Sequence, residues 1–167
     1  MKSWPQAIRD GAISGGIASI LTTVVLGRRG DRENGTPFGA TNAISHWFWG
    51  DGATHQDGPS VRYTLLGYAI HHASATFWAA LYEKWFGERA DEKALIPALA
   101  GGAAVATISC LVDYKVTPRR LHPGYEMRLS TRSLFLVYGT FGVALALRGL
   151  AFGRPAAAGR SAHQLVA

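Results

Sequence analysis

The chain has 167 residues, 48% of them apolar, a single cysteine and a formal charge of +6. Its mean hydropathy is only +0.06, yet apolar and charged residues fall into separate blocks, which argues against a water-soluble helix bundle with charge in every turn or two. One cysteine, Cys110, excludes an internal disulfide, and the basic residues gather at the ends of apolar blocks and form no nucleic-acid-reading patch.

A membrane-spanning helix needs about 20 mostly apolar residues. The first such block covers residues 7–27: GAISGGIASILTTVVLG is uncharged from Gly11 to Gly27, and Arg9 and Asp10 fit the headgroup layer. Arg28 and Arg29 stop it, and no small-x-small cleavage site follows, so it is not a signal peptide. The long loop after it contains TNAISHWFW, residues 41–49. There Ile44, Trp47 and Phe48 share one helical face, which predicts a short amphipathic helix lying in the interface. His46, Asp51, His55 and Asp57 also lie in this loop. Their spacing matches no strong metal motif, and they are assigned to solvated loop, with no metal.

The second block, residues 63–83, is bracketed by Tyr63, Tyr82, Trp85 and Phe86, as an aromatic belt would bracket a span. A short connection leads to the third, residues 94–113, so these two are expected to be antiparallel neighbours. Pro97 falls in the first turn of the third block, where its missing N–H costs little. The loop DYKVTPRRLHPGYEMRLS is structured by Pro118, Pro123 and Gly124. The fourth block, residues 132–152, follows the N-cap candidates Ser130 and Thr131, with Arg148 able to snorkel. Residues 154–167 are expected to be a disordered tail.

The predicted fold class is therefore all-α: one integral membrane domain of four transmembrane helices with an interfacial helix in the first loop. An even number of spans puts both termini on one side. The two loops on the other side hold nine Lys or Arg and the remaining segments eight, so the positive-inside rule does not choose an orientation. Small residues line one face of three spans: Gly11, Gly15, Ala18 and Thr22; Ala98, Gly102, Ala106 and Ser109; Gly139, Gly142 and Ala146. Such faces serve packing within the bundle or, alternatively, a homo-oligomer or a membrane protein partner.

In the second span Thr64, Tyr68, His72 and Thr76 recur every four residues and define a polar stripe with an imidazole near mid-membrane. His71 is turned about 100° from it. A structural polar clamp is the plainer reading of His72. A proton relay, or binding and transport of a small molecule or lipid, is the sharper one. No other span holds a histidine, so no haem or other cofactor is expected. Asp113 is expected to meet Arg62 or Arg119 at the interface, and Glu83 is level with Arg9. Arg119 and Arg120, with Lys115, Arg128 and Arg132, would face headgroups; membrane lipid is the expected partner and nucleic acid is not. A membrane enzyme is a third reading, and it would need carboxylates or histidines converging at one depth.

The segments ATNAISHWFWGD, GYAIHHASATFWAALYE and VDYKVTPRRLHPGYEMRLS resemble blocks of small, uncharacterised four-span proteins of bacterial inner membranes. The resemblance spans most of residues 39–148. It implies a multi-pass protein of a bacterial inner membrane, and it carries no activity and no functional residue.

Overall fold

The computed structural model describes residues 1–153; the expected disordered tail, residues 154–167, lies outside the described residues. The described chain is helical, with no β-strand among those residues. Helix α1 spans Trp4–Asn34. Ser3 and Gln6 form a reciprocal capping box at its start, and Gly35 ends it in the left-handed region at φ 70°. Its 31 residues correspond to about 46 Å. Arg28 and Arg29 do not stop it, because charge ends an apolar run without breaking a helix; Arg29 instead pairs with Glu33 one turn on, at 2.8 Å.

The first loop differs from the expected interfacial helix over residues 41–49. Two short helices stand there, α2 (Gly39–Ile44) and α3 (His46–Trp49), and every residue of α2 is buried. The Ser45 hydroxyl donates to the Asn42 carbonyl where they part. The small residues Gly39, Ala40 and Ala43 let α2 sink onto α1 and α4, with the backbone of Thr41 against Gly67. Phe48, placed by the pattern on the apolar face, is 63% exposed, while Ile44 of the same face is buried.

Helix α4 (Leu66–Trp85) is entered through one wide turn over Val61–Leu65. A short α5 (Gly87–Asp91) leads to α6 (Leu95–Leu111), which ends in a wide turn at Val112–Val116. Helix α7 (Thr131–Phe152) begins at its N-cap Ser130, whose hydroxyl accepts from the Ser133 N–H. The bundle order is α4–α1–α7–α6. Helices α4 and α6 are not the close neighbours that their short connection suggested. They meet mainly near that connection, where Tyr82 donates to the Ala98 carbonyl and Phe86 covers Gly101.

Small residues set these approaches. A Cβ on Gly11 would stand 2.6 Å from Ala80 Cα, and one on Gly15 would meet the backbone of Thr76. Gly102 and Gly142 touch backbone to backbone between α6 and α7. The core is accordingly rich in alanine, while large apolar side chains such as Ile20, Phe77, Ile108 and Phe135 point outward.

Three helices are long and apolar enough to cross a membrane: Trp4–Asn34, Leu95–Val116 and Thr131–Phe152. The second of the four expected spans, α4, is not among them. Its histidines and tyrosines lower its hydropathy, and its polar face is turned inward.

Candidate functional site

The polar face of α4 meets α1. His72 Nδ1 lies 2.9 Å from Ser19 Oγ, and His71 Nε2 lies 2.7 Å from Thr22 Oγ1. Ser19 also bonds the Gly16 carbonyl, and Thr22 the Ala18 carbonyl. Tyr68 stands 3.5 Å from Ser19 and stacks obliquely on His72. Thr76 is buried against Gly15, and its hydroxyl has no hydrogen-bond partner.

His71 also borders a partly open cavity of about 40 Å³ among α1, α4, α6, α7 and Tyr125. Thr22, Ser109, Asp113 and Tyr138 supply its other polar groups. Tyr138 donates to Asp113 Oδ2 at 2.6 Å. Tyr125 reaches this space from the third loop, and burial pushes its phenol well above the ordinary range, so it is a neutral group. The cavity has room for a few waters.

At the terminal end of the bundle, two cations and three carboxylates converge from four elements. Lys2 Nζ lies 2.9 Å from Asp10, 2.6 Å from Glu83 and 2.8 Å from Asp91. Arg148 grips Glu83 with two nitrogens at 2.9 and 3.0 Å and reaches Asp91 at 2.8 Å. Ser14 donates to the same Glu83, which is completely buried. Burial opposes the charge on Lys2, but its hydrogen bonds to Asp91, Glu83 and Asp10 outweigh that and raise its pKa.

The opposite end is closed by the first and third loops. Asn42 donates to the carbonyls of Gln56 and Gly58 and accepts from Thr64. Arg128 pairs with Asp57 and donates to the Thr54 carbonyl. His46 and Trp47 both bond the His122 carbonyl.

The structure thus brings Tyr68, His72 and Thr76 together on the α1–α4 seam, with His71 beside them facing the cavity. Thr64, the fourth member of the row, belongs instead to the loop cap. Asp113 forms no ion pair among the described residues: it lies inside, bonded to Tyr138, while Arg62 packs over Trp49 at 4.3 Å and Arg119 and Arg120 are exposed. Glu83 pairs with Lys2 and Arg148, and Arg9 with Asp10 at 3.1 Å. Among the described residues no three His, Cys, Asp or Glu side chains are arranged to hold a metal ion, the terminal carboxylates being gathered around Lys2 and Arg148.

Sequence reasoning missed Ser14, Ser19, Tyr138 and the Lys2–Arg148 cluster. Their only signal was position: serines and a tyrosine inside apolar blocks, and ionisable residues at the ends of those blocks. Compared with known proteins, the chain matches no family model, no curated protein and no solved structure.

Proposed function

We propose that the chain is a four-span integral membrane protein of a bacterial inner membrane, with α4 as the fourth span, and that its α1–α4 seam conducts protons. The outward-facing Phe77 on α4, like Ile20 and Phe135 on the other helices, supports the membrane reading, since water would leave these side chains unburied. The inward polar face explains why α4 falls short in hydropathy.

One observation carries the proton reading: a row of inward-facing polar groups, bonded in pairs across the α1–α4 seam, leads to a small cavity with a polar lining. The row runs from Asp113 and His71, through Thr22, Ser19 and His72, to Thr76 against Gly15. The next residue of α1, Ser14, donates to Glu83. The small cavity favours water and protons over a small-molecule substrate at this site. His71 takes a proton from a cavity water, Asp113 in the same cavity lining stabilises the resulting imidazolium, and rotation of Ser and Thr hydroxyls passes protons along the seam.

A subunit that assembles through its Gly/Ala faces is the competing reading. Most of those faces are spent inside the bundle, as Gly11, Gly15, Gly102 and Gly142 show. The deciding experiment is proton flux into liposomes carrying the purified protein and an internal pH dye. Flux above that of empty liposomes is expected, and its loss in His71→Leu and Asp113→Asn. A wild-type protein no more permeable than lipid alone would sink the proton reading and leave the assembly one.

A further inference from the structure

The outer surface between α6 and α7 carries a groove of about 670 Å³ that the polar seam does not use. The two helices touch at Gly102 and Gly142 and diverge toward the loop end, so the groove widens between them. Leu99, Leu134, Phe135 and Val143 form apolar walls, and Phe135 is 77% exposed. Gly139 lies in it, with open space where a side chain would stand. Tyr114 and Thr131 line its loop end, and the Tyr114 hydroxyl is buried without a hydrogen-bond partner. The next residue after each is a cation: Lys115 and Arg132 are both exposed, and neither meets a carboxylate among the described residues.

We infer that this groove binds an acyl chain of an anionic phospholipid, with the lipid phosphate held at Lys115 and Arg132. The inference rests on the membrane reading above and is independent of the proton path. Two observations select the occupant. The walls are apolar while two exposed cations adjoin the residues at its loop end, so the ligand is an amphiphile with a negative head. A chain narrower than a second helix, which is about 10 Å across, suits a floor opened by the missing side chain of Gly139. An acyl chain is the slimmer fit and restores the dispersion contacts that an empty groove would forgo.

The test uses the protein extracted from membranes in detergent, stripped of lipid, and mixed with phosphatidylglycerol or phosphatidylcholine of identical acyl chains. Native mass spectrometry and thermal unfolding are the readouts. Phosphatidylglycerol is expected to stay bound and raise Tm, and phosphatidylcholine to do so far less. Gly139→Leu, which fills open space, should abolish the gain. The Lys115→Gln/Arg132→Gln pair, exposed and harmless to folding, should make the two lipids equivalent, and it decides alone if Gly139→Leu does not fold. Equal binding of both lipids by the wild type would overturn the inference, as would a gain that survives Gly139→Leu. A dimer that Gly139→Leu dissolves would assign the groove to a second copy instead. Recovery of the protein without detergent would be a different failure, that of the membrane reading itself.

Discussion

Thr22 Oγ1 and His71 Nε2 stand 2.7 Å apart, and their hydrogen bond ties α1 to α4. One turn away Ser19 Oγ and His72 Nδ1 do the same at 2.9 Å. Each contact is an interhelical polar bond, worth about 1 kcal/mol within a membrane. His71→Leu and His72→Leu are therefore expected to lower unfolding stability by that order and leave insertion intact. Proton flux into liposomes should nevertheless disappear in both. Flux unchanged in His72→Leu would make that residue a structural clamp only.

Glu83 is the hub of the terminal cluster. Glu83→Ala leaves Lys2 and Arg148 buried against two carboxylates instead of three, and breaking a buried pair of this kind costs about 3–5 kcal/mol. Detergent unfolding of wild type and variant measures it. Lys2 adds a pH signature. Its pKa in the folded protein is raised above 10.5, so its stabilisation is complete below 10.5 and is lost as pH rises through the folded value. Wild type should hold its unfolding midpoint to about pH 10 and then lose it, whereas Lys2→Met should start lower and lack that alkaline drop. Parallel curves would show that Lys2 contributes nothing.

Gly102 admits no side chain, because a Cβ there would run into the Gly142 carbonyl. Gly102→Val should force α6 and α7 apart, at about 1–3 kcal/mol or more. Gly139→Ala, on the open side of the same pair, should be neutral or gain about 0.5–1 kcal/mol from helix propensity. Thermal unfolding of both variants separates the two positions, and equal effects would contradict the crossing.

The helices were legible because apolar block length and charge at block ends are local properties. The polar stripe was legible in half: Tyr68, His72 and Thr76 repeat every four residues, and the structure gathers them. Their partners were not, because Ser19 and Thr22 are ordinary residues in an apolar block until antiparallel packing aligns them with histidines. Lys2, Asp10, Glu83, Asp91 and Arg148 sit at the ends of separate blocks, and nothing local says that those ends coincide. Helix α2 misled for another reason. Its apolar pattern suggested a surface helix, but Asn42 binds loop carbonyls far along the chain and draws it inside.

That role makes Asn42→Ala informative. The change strands two carbonyls and the Thr64 hydroxyl, and uncompensated buried polar groups cost about 1–3 kcal/mol. The loop cap should loosen before the helices do. Limited proteolysis is expected to cut the variant within residues 50–60 while wild type resists, and an unchanged digestion pattern would remove Asn42 from the cap.

Cys110 lines the α6–α7 groove and is partly buried, with Leu111 and Leu134 as neighbours along the same wall. Within a bilayer that groove faces acyl chains and not water. A charged, membrane-impermeant maleimide reacts with thiolate in water, and neither condition is met there. Cys110 should therefore resist the reagent in intact membranes, and also in proteoliposomes carrying the protein in both orientations, which removes sidedness as an explanation. Unfolding in SDS should make the same thiol fully reactive, which shows that it was shielded and not already modified. Fast labelling in membranes would mean that water enters between α6 and α7, and an acyl chain would then not be what fills the groove.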